Sequence, residues 1–99
     1  MDENLVITLQ EHNGAGRYVA RLAGADGEAQ MTFHYANDRQ IVVNHTGVPA
    51  SMEGKGIGTA LVRYAVRDAR ERGFTIIPHC SFVRAQAVKH PEWKDVIET

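Results

Sequence analysis

Residues 44–72 read NHTGVPASMEGKGIGTALVRYAVRDARER. A strand end comes first, then a turn at Pro49, a glycine run from Gly54 to Gly58, and a patterned helix. Ile57, Ala60, Leu61, Tyr64, Ala65 and Ala69 fall on one face by i, i+3/i+4 spacing, and Val62 and Val66 widen that stripe. Arg63, Arg67, Arg70 and Glu71 face solvent. Gly73 stands where a left-handed C-terminal cap belongs. Strand, glycine loop and helix in this order make a place to hold a phosphate. The first N–H groups of a helix lack partners, and the positive end of its dipole adds to them. Gly54, Gly56 and Gly58 have no Cβ to keep a ligand off the main chain, and Lys55 could add charge at the rim. The plainer reading is a tight turn with close helix–strand packing. The Walker spacing GxxxxGK[ST] is absent, and Gly54-x-Gly56-x-Gly58 does not follow the first parallel strand as a Rossmann fingerprint does.

Upstream the pattern has period two. Leu5, Ile7 and Leu9 share one face of a strand over 4–10. His12 to Gly16 reads as a turn. Tyr18, Ala20 and Leu22 alternate over 17–23, and Gly24 to Gly27 turns again. Ala29, Met31, Phe33 and Tyr35 oppose Glu28, Gln30, Thr32 and His34 over 28–36, the pattern of a half-solvated antiparallel strand. Asn37-Asp38 predicts a third tight turn. Residues 39–46, with Ile41, Val42 and Val43 in a row, read as an interior strand. Four strands on short turns predict an antiparallel meander. Downstream, Phe74 to Ile77 is a short strand ending at Pro78. Strand, helix and strand favour a parallel pair with a right-handed crossover. Ser81 to Thr99 predicts one or two short helices. Pro91 would stand at the first turn of the last one, and Val88, Trp93, Val96 and Ile97 would form the buried side. Ser81 is a candidate helix cap.

The chain has 99 residues, 43% apolar and 23% charged, as expected of one soluble domain. A domain of this size buries about 60–65% of its unfolded surface, enough for a single core. A net charge of −1 argues against a dedicated nucleic-acid binder. No apolar run reaches the roughly 18 residues of a membrane span. The acidic start MDENLVITLQ lacks the features of a signal peptide. With one cysteine, no internal disulfide forms, so a reducing cytoplasm is the expected compartment.

Four motifs then narrow the reading: His45-Thr46-x-Val48-Pro49, Gly54-x-Gly56-Ile57-Gly58, Ile77-Pro78-x-Cys80-Ser81-Phe82-Val83 and His90-Pro91-x-Trp93. Following a meander, they resemble the Gcn5-related N-acetyltransferase superfamily, and most of all its short single-domain members. The resemblance spans residues 45–93, about half the chain. It implies an α+β fold with a mostly antiparallel sheet of about five strands, a splayed parallel pair, one main helix and a helical tail. It also implies acetyl-coenzyme A as co-substrate, no metal, and an amine acceptor the sequence does not identify. The pyrophosphate would lie on the amides of Gly54, Lys55, Gly56, Ile57, Gly58 and Thr59. The pantetheine arm would run along the backbone from His45 to Val48, and Thr46, Val48, Met52 and Ser81 complete the expected cofactor contacts. The acetyl group would lie near His45 and Cys80. Two departures stand out. Glu53 occupies a position where the family usually has Gln or Arg, and a carboxylate there must point outward. The chain is also too short for the extra elements that shape the acceptor site in full-size members.

His45 is the candidate general base, since an amine attacks a thioester only when neutral and imidazole titrates near working pH. The plainer role is a hydrogen-bonded histidine at a strand end. Cys80 is the candidate nucleophile, accepting the acetyl group and passing it on, provided its pKa is lowered. It could equally line the site without reacting. His45, His79, Cys80 and His90 also admit a metal-ligand reading, although adjacent His79 and Cys80 are awkward for one ion. Three functions compete: an acetyltransferase, a coenzyme A-binding module or partner subunit with little catalysis, and a thiol- or metal-dependent protein. A monomer or weak homodimer is expected.

Overall fold

A computed structural model describes residues 4–98. Asp2 and Glu3 of the acidic start, and Thr99, lie outside them. One sheet holds β1 (Leu5–His12), β2 (Ala15–Leu22), β3 (Ala29–Asn37), β4 (Gln40–Gly47) and β5 (Thr75–Pro78), side by side in chain order. The first four are antiparallel neighbours and β4 pairs β5 in parallel. Helix α1 (Ile57–Arg72) makes the crossover, and α2 (Ser81–Lys89) follows β5. Single 3-10 turns form at Ala50–Met52 and Pro91–Trp93. The α+β class, the meander, the parallel pair and the bounds of α1 are as the sequence predicts. Gly73 caps α1 with φ 77°, its N–H donating to the Ala69 carbonyl.

Turn positions differ in detail. Asn13 and Gly14 alone make the first turn, with φ 52° and 76°, as a two-residue hairpin requires. Ala15 and Gly16 therefore already belong to β2. The third turn comes one residue later than expected, at Asp38-Arg39, because Asn37 still pairs with Gln40. The Asn37 carboxamide explains the shift: its Oδ1 accepts from the Arg39 N–H at 2.8 Å and its Nδ2 donates to Gln40 Oε1 at 2.7 Å.

The core lies between one face of the sheet and α1. Tyr18, Ala20, Ala29, Met31, Phe33, Ile41 and Val43 meet Leu61, Val62, Ala65, Val66 and Ala69 there, all buried. The opposite face carries no helix over β1 to β3 among the described residues. There Arg17 reaches Gln10, Glu28 and Gln30, and its stem shelters Val19, which is buried. Two expectations for the tail are corrected. Val88 is 83% exposed, since α2 turns Val83 and Gln86 inward instead. Ser81 is the first helical residue and Cys80 holds the N-cap position. Trp93, Val96 and Ile97 are buried as expected. The chain around Ile97 runs parallel beside Ile76, whose N–H donates to the Val96 carbonyl at 2.7 Å and whose carbonyl accepts from Glu98 at 2.9 Å. The outer edge of β5 is thereby closed.

Candidate functional site

The site begins where the parallel pair comes apart. β4 and β5 are in register from Gln40↔Thr75 to Val43↔Pro78. One more bond follows, from the His79 N–H to the Val43 carbonyl at 3.1 Å. Pro78 then removes a donor and turns the chain into α2. β4 continues along β3 alone, with Thr32 opposite His45 and Phe33 opposite Val43. Asn44 is thus the extra residue of a bulge, and a bulge bends its strand. The result is a wedge, with β4 from Asn44 to Gly47 on one side and the start of α2 on the other.

Cys80 sits in this wedge. It is buried, and its Sγ lies 3.4 Å from Thr46 Oγ1. Burial alone pushes the thiol pKa up. The Thr46 hydroxyl, followed by the amides of Val83, Phe82 and Thr46, outweighs that push and holds it below the ordinary cysteine value. The amides of Phe82 and Val83 belong to the first turn of α2, where free N–H groups and the helix dipole favour an anion. A thiol in such surroundings can act as a nucleophile.

His45 stands elsewhere. Successive strand residues point to opposite faces. Thr46 pairs with Met31 on the α1 side, and His45 pairs with Thr32 on the open side. Its ring is exposed and folds back over Gly47. Cys80 and His45 therefore flank the wedge from two faces of one strand, not side by side.

The glycine loop lies at the N-terminus of α1. Gly54 and Gly56 have φ 75° and 72°, and a Cβ at either would meet open space. Gly56 is the N-cap of α1, and the first turn of that helix holds no acidic residue. Open space over free amides fits a phosphate group. Lys55 is exposed beside it, and Glu53 is exposed just before it. Gly58 has a different task from the one expected: a Cβ there would lie 2.7 Å from the Phe82 ring. Its bareness lets α2 pack against α1. Ile57 and Met52 are buried in the core, so only their backbones could face a cofactor. Thr46, Val48 and Thr59 are half-buried and Ser81 is exposed.

His90 stacks on Trp93, ring centroids 4.1 Å apart, and its Nδ1 lies 3.1 Å from Glu92 Oε2. Among the described residues, no three of His, Cys, Asp or Glu stand together to hold a metal ion. No helix among them is long and apolar enough to cross a membrane. Sequence reasoning had Thr46 only as a cofactor contact and missed its part in tuning Cys80. Strand alternation applied to Asn44-His45-Thr46 would have separated His45 from the thiol.

A splayed parallel pair, a phosphate loop opening the crossover helix and a tuned thiol in the splay define an acyl-transfer fold built around a pyrophosphate-bearing thioester. The family model for GCN5-related N-acetyltransferases matches residues 17–96, and the chain belongs to that family. Its co-substrate is acetyl-coenzyme A. The fold is similar to the solution structure of a GCN5-like protein from Staphylococcus aureus, at TM-score 0.66 and 24% identity over 97% of this chain and 90% of that one. It is also similar to a GNAT family acetyltransferase from Elizabethkingia anophelis crystallised with acetyl-CoA bound. That match has TM-score 0.67 and 9% identity over 93% of this chain and 76% of that one.

Proposed function

We propose that this chain, acting as one domain, moves the acetyl group of acetyl-coenzyme A to an amine in two steps, through Cys80. The observation that carries this reading is the Cys80 thiol, lowered in pKa by Thr46 and the first amides of α2 inside the wedge. Acetyl-coenzyme A supplies an activated thioester. The backbone of His45 to Val48 pairs with its pantetheine arm as an added strand, and the amides from Gly54 to Thr59 hold its pyrophosphate. The Cys80 thiolate attacks the acetyl carbonyl carbon, the old carbon–sulfur bond breaks, and coenzyme A leaves as its thiolate. An amine then attacks the acetyl carbon on Cys80. The new carbon–nitrogen bond forms, the amine proton passes to His45, and Cys80 leaves as thiolate. The wedge is one strand thick on the β4 side, so an acetyl group in it is within reach from the His45 face. A thiolate nucleophile must stay reduced, which places the protein in the cytoplasm.

Incubation with acetyl-coenzyme A alone, followed by intact mass measurement, tests this. An acetyl adduct is expected in the wild type and is absent in Cys80→Ser. Full transfer activity in Cys80→Ser would end the two-step route and leave direct transfer with His45 as base. Calorimetry tests the cofactor site itself: failure of the folded protein to bind acetyl-coenzyme A at millimolar concentration would remove both routes.

A further inference from the structure

The sheet has two outer edges. That of β5 is closed by the tail around Ile97. That of β1 is open, for among the described residues no strand pairs with it beyond β2. The Ala23 N–H donates to the Asn4 carbonyl at 3.0 Å, and His12 closes the hairpin opposite Ala15. Even-numbered residues of β1 therefore turn their backbone groups toward β2. Leu5, Ile7, Leu9 and Glu11 turn theirs outward.

Natural edge strands are blunted by Pro, Lys, bulges or inward-pointing charges. β1 has no Pro, no Lys and an unbroken register with β2 over its whole length. Its inward side chains Leu5, Ile7 and Leu9 are apolar and only half covered, and Val6 on the other face is 57% exposed. Behind the edge lies a groove of about 560 Å³ whose lining includes Leu5, Ile7 and Tyr64, with Lys55, Arg63 and Arg67 on its α1 side.

We propose that this edge pairs with β1 of a second copy of the chain, antiparallel, about a two-fold axis at Thr8, so that one sheet runs through both protomers. A strand that alternates donors and acceptors along its edge is its own complement under such an axis. The register follows from using every outward backbone group: centred on Thr8, Leu5 meets Glu11 and Ile7 meets Leu9, in both directions. Any other centre leaves some of them without a partner. No like charges face each other in this register. Apolar side chains of the second copy extend the floor of the groove. Its Glu11 arrives beside Leu5, on the side where Lys55, Arg63 and Arg67 rim the groove. A single strand pair buries less than the roughly 1,600 Å² of a standard interface, so the dimer forms in a concentration-dependent way. The edge holds none of the residues assigned to acetyl transfer, so this inference stands apart from that reading.

Sedimentation equilibrium from micromolar to millimolar concentration tests it, with two variants at Thr8, which is exposed on the open face. The wild-type mass is expected to rise from one chain toward two. Thr8→Arg puts two guanidinium groups on the axis and is expected to stay monomeric throughout, with the melting temperature and acetyl-coenzyme A binding of the wild type. Thr8 would form a non-hydrogen-bonded pair with its counterpart, Cα atoms about 4.5 Å apart, close enough for a disulfide. Thr8→Cys is therefore expected to cross-link under oxidised glutathione while the wild type, with Cys80 buried, does not. A wild type that stays monomeric at millimolar concentration overturns the proposal. So does a Thr8→Arg variant that dimerises as the wild type does, and so does cross-linking of Val6→Cys as ready as that of Thr8→Cys.

Discussion

Cys80 poses the question of why a buried thiol is held ready to ionise. Desolvation works against the thiolate, and the donors that defeat it come from two places: Thr46 on β4 and the Phe82 and Val83 amides on α2. The thiol is thus primed only while β4 and α2 keep their spacing. Thr46→Val keeps the shape and burial but removes the hydroxyl, so burial regains ground and the pKa rises. Alkylation by iodoacetamide at neutral pH is then expected to slow severalfold, with the midpoint of its pH dependence moved upward and the melting temperature little changed. An unchanged pH profile would show that Thr46 only packs. Saturating acetyl-coenzyme A is expected to protect the thiol in both proteins. At this scale the sequence named the right residues but grouped them wrongly. Cys80 and His45 both flank the wedge, yet the alternation of β4 points Thr46, not His45, toward the sulfur.

The glycine run shows what is legible in an element and what is not. Its place between strand and helix follows from period and composition, and Gly54 and Gly56 serve the loop as expected, both at positive φ. Gly58 is inside α1, and its purpose depends on Phe82, far along the chain. No local pattern reveals that contact. Nor does any pattern mark Asn44 as a bulge, since a bulge depends on the neighbouring strand as much as on its own. A methyl group at Gly58 must displace the Phe82 ring or α2 with it. Gly58→Ala is expected to cost about 1–3 kcal/mol, as overpacking does, and to lower Tm by roughly 5–15 °C. Because Phe82 begins the helix that caps the wedge, the same change is expected to weaken acetylation of Cys80. Phe82→Leu in the same chain relieves the contact and recovers part of the loss. Strict additivity of the two substitutions in a thermal double-mutant cycle would deny the coupling.

Across the whole molecule, strand order was legible because short turns force chain neighbours to be sheet neighbours. The tail's pairing with β5 was not, since three residues after a turn at Trp93 are too few to show a period. The polar bonds that tie α1 to the meander were equally hidden. Tyr18, with its ring in the core, donates from its hydroxyl to Asp68 Oδ2 at 2.7 Å. Arg72 holds both oxygens of Asp68, at 2.8 and 2.7 Å, and lies 3.3 Å from the Tyr35 hydroxyl, which donates to Glu11. One network thus joins α1 to the first three strands, and it sets the alkaline limit of the fold. Burial, then the hydrogen bond to Asp68, push the Tyr18 pKa far above the ordinary tyrosine value. Burial and Glu11 raise Tyr35 as well. The folded chain therefore holds these protons more tightly than the unfolded chain does. The associated stability is complete below the ordinary tyrosine pKa of about 10 and falls as pH rises from there toward the folded values. Urea midpoints measured across that range are expected to drop steadily in the wild type. Tyr18→Phe loses a buried hydrogen bond, about 0.5–1.5 kcal/mol at neutral pH, while Arg72 still satisfies Asp68. It has no proton to lose at that position, so its midpoints are expected to fall less steeply, with Tyr35 supplying what slope remains. Equal slopes for the two proteins would mean that Tyr18 ionises as freely folded as unfolded, against its burial and its bond to Asp68.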